Sequence, residues 1–215
     1  WSRTAGAVAD PVDAEDPEAL PEPLLSAWRG PDDVHRLGCL HADAGLDSVA
    51  LPFRGHGIAV HPAWPGSAVI AGRRPGRQLA RVDLRALRIE RLIDTGDGRH
   101  GGGHVAYTAD GTRLLSGETD ADRACGLIVV REPQTLAALA EWDAHGTEPH
   151  ELLALPGGRL AVANGGLALD PATGRRVLNR GATDSALVLL AAADARRLGR
   201  WRLADREQSL RHLAV

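Results

Sequence analysis

Short apolar runs alternate with turns along most of this chain. Leu24–Trp28, Val34–His41 and Ser48–Pro52 come first, followed by Gly57–His61, Ser67–Gly72, Gln78–Asp83 and Ile89–Ile93. A third set follows at His104–Thr108, Arg113–Gly117, Gly126–Arg131 and Leu139–Trp142, and a fourth at Glu151–Leu155, Arg159–Ala163, Ser185–Leu190 and Leu198–Leu203. Pro, Gly and Asp stand between the runs. Short runs at even spacing, bounded by turn residues, predict strands and not helices. The Ala- and Leu-rich stretch 187–197 is assigned to strand and turn on the same ground, and little or no helix is expected.

The runs group by fours, and a histidine marks the start of each group. His56 precedes Gly-Ile-Ala-Val, His104 precedes Val-Ala-Tyr-Thr, His150 precedes Glu-Leu-Leu-Ala-Leu, and His212 precedes Leu-Ala-Val. His104 follows His56 by 48 residues, His150 follows His104 by 46, and His212 follows His150 by 62. A unit of about 40–50 residues holding four short strands predicts a blade of a β-propeller. The longer last interval places an insertion near 164–184, between second and third strands. The expected fold is all-β, with about four blades of four-stranded antiparallel sheet near 24–53, 54–102, 103–148 and 149–210. The first blade lacks its first strand. Part of a larger propeller is the favoured architecture; the alternative is a closed four-bladed ring in which His212–Val215 supplies that strand.

Residues 1–23 break the pattern. They are rich in Ala, Pro, Asp and Glu, without period and with few large apolar groups. Such a stretch buries too little to offset its ordering entropy, so a disordered leader is expected before a propeller domain at 24–215. The first residue is Trp, which predicts a processed or partial chain. All 25 basic residues are Arg, and the net charge of −3 carries no basic footprint for nucleic acid. No apolar run is long enough to span a membrane as a helix. Cys39 and Cys125 fall in different repeats, where two unpaired thiols are expected.

An ordered set of motifs carries a resemblance. It comprises Arg54-Gly-His-Gly-Ile-Ala-Val-His-Pro62, Arg74-Pro-Gly-Arg77, Gly98-Arg-His100 with Gly103-His104, and Glu118-Thr-Asp120. It continues with Gly146 through Leu152, Val162-Ala-Asn-Gly-Gly166, Leu178-Asn179 and Ser209–Ala214. Together these resemble the bacterial family called domain of unknown function 1513, over about Leu24 to Val215. The resemblance implies a seven-bladed propeller exported to the cell envelope or periplasm, often by the twin-arginine route. It also implies a genomic setting beside imelysin-type iron-uptake lipoproteins and haem-containing oxidoreductases, which become the expected partners. It implies no reaction. Two departures stand out: Gly101-Gly102 where the family usually carries bulky aromatics, and Val105 where it often carries Gly.

The first strand of each blade lines a propeller's central channel, and equivalent positions form a ring. His56, His104, His150 and His212 should therefore converge at the channel mouth, although far apart in sequence. Neutral imidazole is the common ligand of Fe, Cu and Zn, so a transition metal or metal complex is the expected cofactor. His100, in a glycine-rich loop, could fold back to the same place. Glu118 and Asp120, on a loop reaching the same face, could ligate a cation or orient an imidazole. Arg54, Arg74, Arg77 and Arg99, with Asn164, are the candidates for binding an anionic or polar cofactor group. Glu151 should point away from His150 and pack between blades. His35, His41, His61 and His145 lie off the repeated position and are expected to be packing or surface residues. No nucleophile elbow, P-loop, haem-attachment or helical zinc-protease motif occurs. The functional expectation is a metal-binding propeller in iron acquisition, leaning away from an enzyme. A metal-dependent lactonase- or oxidoreductase-like enzyme and a protein-interaction scaffold are the alternatives.

Overall fold

In the computed structural model, residues 24–41, 45–170, 173, 176–205 and 207–214 are described. The expected leader at 1–23 and Val215 lie outside them. Every regular element among the described residues is a strand. The first sheet holds β1 (Leu24–Arg29), β2 (His35–Leu40) and β3 (Leu46–Leu51). The second holds β4 (Gly55–His61), β5 (Trp64–Gly72), β6 (Gln78–Asp83) and β7 (Arg88–Asp94). The third holds β8 (Arg99–Tyr107), β9 (Leu114–Asp120), β10 (Cys125–Arg131) and β11 (Ala138–Asp143). The fourth holds β12 (Pro149–Leu155), β13 (Arg159–Asn164), β14 (Ala186–Ala191) and β15 (Arg197–Arg202). Each sheet is an antiparallel meander in chain order, which is the make-up of a propeller blade.

Burial within a blade falls from the middle outward. In β9, β10 and β13 most positions are buried and in β6 and β14 half are, whereas β7, β11 and β15 are largely exposed. The middle strands of the third blade are covered by a neighbouring blade on each face, so β9 and β10 are buried almost throughout, whereas β14 of the fourth blade, packed on one described blade, alternates. The core is accordingly three slabs between successive sheets. Leu37, Leu51 and Phe53 meet Ile70 and Val82 in the first, and Val69, Ala71 and Leu79 meet Val105, Tyr107 and Leu114 in the second. Leu115, Ile128 and Val130 meet Leu152, Leu160 and Val188 in the third.

His61 pins two of these blades. It is buried, stacks on Trp64 at 3.8 Å between ring centroids, and accepts a hydrogen bond from Ala63 N through Nδ1. Its Nε2 therefore carries the proton and donates to the carbonyl of Gly111 at 3.1 Å.

Two expectations need revising. The third blade's first strand begins at Arg99, not His104, because the glycine-rich segment pairs with β9 on both sides of an irregularity. The segment at 210–214 forms no strand and does not pair with β1, whose partner is β2. Instead it runs beside β12, with Leu213 N donating to Glu151 at 2.5 Å, so the described residues do not form the closed four-stranded first blade. The insertion at 164–184 has little regular structure, with a single bridge between Leu169 and Val177 among its described residues. Cys39 and Cys125 are both free thiols.

Candidate metal centre at the axial opening

All three inner strands that carry the repeated histidine are irregular at that residue. On β4 the register runs from Gly55 opposite Gly72 to Ile58 opposite Ile70, so three steps on one strand match two on the other. On β8 it runs from Gly101 opposite Glu118 to Val105 opposite Ser116, four steps against two. On β12 it runs from Pro149 opposite Asn164 to Glu151 opposite Ala163, two steps against one. The surplus residues include His56, His104 and His150. A bulge breaks the alternation of side chains and re-aims the residue that it carries.

Glycine lets these strands come close. A Cβ on Gly57 would lie 2.5 Å from the Gly103 carbonyl oxygen and 2.7 Å from the His104 Cα. Gly102 is tighter still, since a Cβ there would sit 1.9 Å from the Pro149 carbonyl oxygen. No side chain fits at Gly102, which is where the family resemblance suggested an aromatic.

The result is a cluster of imidazoles. Ligand nitrogens of His56, His104 and His150 all lie within 4.8 Å of one another. Ring centroids are 4.7 Å apart for His56 and His104, 5.0 Å for His104 and His150, and 6.1 Å for His56 and His150. His212 completes a fourth corner, 5.2 Å from both His104 and His150, and is largely exposed. His104 Nε2 and His150 Nδ1 are buried with no hydrogen-bond partner. Glu151 Oε1 lies 3.8 Å from His104 Nδ1, and its Oε2 lies 3.5 Å from His212 Nδ1. Glu151 was expected to point away. The bulge on β12 undoes strict alternation, so His150 and Glu151 both reach the opening.

The surroundings keep these rings neutral. Burial, then the His104 ring and the Arg74 and Arg211 charges, push His150 down to about 3. Burial and His56 push His104 down to about 4 against the opposing pull of Glu151. Burial, followed by Arg73, His212, Arg54 and Arg74, lowers His56 as well. A neutral imidazole keeps a lone pair free for a metal.

The other expected site residues are placed elsewhere or occupied. His100 lies on β8 outside the cluster, and both its ring nitrogens are buried without a partner. It lines a separate cavity of about 150 Å³, with Arg74, Thr119, Glu148, Leu167 and Leu178. Glu118 is engaged within its own sheet, where it accepts from Arg131 Nη2 at 2.6 Å and from Ser116 Oγ at 2.8 Å. Asp120 faces Arg99 at 3.6 Å and Arg123 at 3.8 Å and caps its own turn by accepting from Arg123 N. Asn164 donates to the Ala144 carbonyl at 2.9 Å, holding a loop. Arg77 is bound to Asp94 and Asp97, and Arg99 to Glu141, all at the surface. Arg54 is exposed beside His56 and has no carboxylate partner among the described residues. Arg74 is half-buried against Glu148, which also meets Arg211 at 3.4 Å. Burial, with the nearby Arg211 and Arg73, lowers the Arg74 guanidinium to about 10. Glu148 is a site residue that sequence reasoning missed; the Pro149-His150 step beside it was the signal available.

Residues 49–215 match the family described as Protein of unknown function (DUF1513). The chain belongs to that family. No curated protein matches it. Among solved structures it is similar to the WD40 domain of Pan2 from Neurospora crassa, with a TM-score of 0.55 and 9% identity over 80% of this chain and 49% of that one. It is also similar to a chain of the Mitotic Checkpoint Complex, with a TM-score of 0.55 and 14% identity over 86% of this chain and 52% of that one. At such identity the likeness shows the β-propeller fold alone, and this chain spans about half the length of those chains. No helix among the described residues is long and apolar enough to cross a membrane.

Proposed function

We propose that this DUF1513 propeller binds one transition-metal ion, Fe, Cu or Zn, through His56, His104 and His150. The observation that carries the reading is the approach of three imidazole nitrogens to within 4.8 Å, two of the rings having a buried nitrogen with no other partner. An orphaned buried polar atom costs roughly 1–3 kcal/mol, which a metal bond would recover. Ligation at about 2.0 Å draws such nitrogens to about 3.3 Å apart, a shift within the reach of rotamer changes. Three imidazoles with a fourth beside them leave room for an exogenous ligand. The family resemblance adds the setting: a cell-envelope protein of iron acquisition, working beside an uptake lipoprotein or a haem oxidoreductase.

Metal analysis after loading with Fe(II), Cu(II) or Zn(II) tests this. One equivalent in the wild type, lost in His104→Ala and His150→Ala, is expected. Metal content unaffected by both substitutions overturns it.

One observation favours a second, enzymatic reading. Glu151 is a carboxylate at the imidazoles, so a metal-bound water would have a base beside it. Glu118 and Asp120, the acids expected at this face from sequence, are spent on arginines. Turnover of a lactone or ester panel that chelator abolishes and Glu151→Gln lowers would establish this reading. The interaction-scaffold reading rests on fold analogy, and no residue carries it.

A further inference from the structure

The metal reading leaves the cavity at His100 without a use. It measures about 150 Å³, and its lining residues all fall between 74 and 178. The insertion after β13 forms one wall, and hydrogen bonds fix that insertion in place. Gly165 N donates to the Glu148 carbonyl at 2.8 Å and Gly166 N to the Thr147 carbonyl at 3.0 Å. Asn179 ties the two arms of the insertion together, accepting from Ala168 N and donating to the Gly166 carbonyl, each at 2.8 Å. Leu167, Leu169 and Leu178 are thereby held at a common wall, facing β8 at His100 and the end of β9 at Thr119. Leu178 stays 57% exposed there. The glycine pair ending at Gly166 and the Leu178-Asn179 step, both singled out in the sequence, thus shape this cavity.

The walls are mainly aliphatic, but two lining side chains hold acceptors without a donor. Both ring nitrogens of His100 are buried and unpartnered, as is Oε2 of Glu148, whose side chain is 3% exposed. A neutral imidazole keeps one acceptor nitrogen, and a carboxylate only accepts. Glu148 Oε2 faces Gly165, where a Cβ would come within 2.5 Å of it, so His100 is the acceptor left to a ligand. An acidic ligand would set its charge against Glu148, while the lining guanidinium, Arg74, is already engaged by that carboxylate. An ammonium would meet Arg74 and Arg211 at the same carboxylate. A neutral hydroxyl meets neither objection. A cavity of this volume with aliphatic walls holds one benzene-sized ring. Gly101 and Gly102 present bare backbone to it, a surface on which a flat ring can lie.

We propose that this cavity binds a small phenol, a single aromatic ring whose hydroxyl donates to His100. The ring takes the aliphatic space between the insertion and β8, and the hydroxyl supplies the donor that the site lacks. The proposal is independent of the metal reading, since none of His56, His104 and His150 lines the cavity.

The full chain, kept in chelator so that no metal contributes, is titrated with phenol and separately with toluene, which has the same shape and no hydroxyl. Amide NMR shifts follow the binding. Saturable shifts centred on His100, Thr119 and Leu169 are expected with phenol. Toluene is the more apolar of the two, yet phenol should half-saturate at a concentration about fivefold lower, because it alone bonds to His100. His100→Phe keeps a ring and loses both nitrogens, so the order should reverse there. Ala121→Leu fills the cavity and should abolish binding of both, with the remaining amide spectrum unchanged. No saturable response to phenol, toluene binding as tightly as phenol in the wild type, or phenol affinity unchanged in either variant overturns the proposal. The comparison of the two ligands in the wild type decides it even if a variant fails to fold.

Discussion

Replacing Glu118 by alanine would leave the Arg131 guanidinium charged, buried and facing a hole. The pair is enclosed, with side-chain exposures of 5% for Arg131 and 3% for Glu118, and it joins through Nη2 at 2.6 Å. Breaking a buried pair by removing one partner costs about 3–5 kcal/mol. Arg131 would keep Ser116 Oγ at 3.0 Å and the Leu136 carbonyl at 2.8 Å, which places the expected cost near the lower end, about 3 kcal/mol. For a chain of this size that is a fall in Tm of about 6–12 °C. Glu118→Gln keeps an acceptor and loses only the charge, so it should cost about 1–2 kcal/mol. Urea unfolding followed by tryptophan fluorescence and by far-ultraviolet circular dichroism gives the stability; calorimetric titration of the folded protein with Zn(II) gives the affinity. Stability should fall in the order wild type, Gln, Ala, with Zn(II) affinity constant. A stability loss under about 0.5 kcal/mol, the ordinary range of a surface substitution, would refute the buried-pair account. Affinity falling tenfold without loss of stability would return Glu118 to the ligands.

His104 and His150 titrate well below the ordinary histidine value near 6.5, so the unfolded chain takes up protons first as pH falls. Stability should be full above about pH 6.5, fall by up to about 1.4 kcal/mol per pH unit per histidine on the way to their folded values of about 4 and 3, and then level off; urea midpoints between pH 7 and 4 check the sign, and His150→Gln should flatten the slope. The same lowering predicts that Zn(II) is retained in dialysis at pH 5.5, where ordinary imidazoles are largely protonated. Gly57→Ala should push β4 from β8 and weaken Zn(II) binding about tenfold, with an overpacking cost of about 1–3 kcal/mol; unchanged affinity would show that the spacing of His56 and His104 does not depend on this contact. His61→Ala removes the stack on Trp64 and the bond to Gly111, and should lower stability by about 1–3 kcal/mol while leaving metal affinity alone.

The strand order was legible because each blade repeats one simple physical pattern. Apolar runs of strand length, broken by Gly, Pro and Asp, cannot be satisfied by helices, and the recurrence of a histidine before the first run marked where each blade opens. What failed was the ends. The prediction for 212–215 rested on a histidine before Leu-Ala-Val, but a three-residue apolar run forms a strand only if an edge is there to pair with it. Leu210 N donates instead to Ser185 Oγ and Leu213 N to Glu151, and these bonds hold the segment along β12.

The site was legible only where repetition carried it. His56, His104 and His150 were found because the same residue recurs at the same place, and recurrence survives a local irregularity that affects every copy. Residues argued singly from alternation or loop position fared otherwise. Glu151 was turned the wrong way because alternation was assumed through His150, where one strand has a residue more than its partner. Glu118 and Asp120 share a face of the molecule with the histidines, but an acidic group on an arginine-rich protein finds a guanidinium before it finds a cation: all 25 basic side chains here are arginines, and Arg131 and Arg99 claim both acids. That competition bears on chemistry as well as on prediction. With Glu118, Asp120 and Glu148 each engaged by arginine, Glu151 is the carboxylate left beside the imidazoles among the described residues.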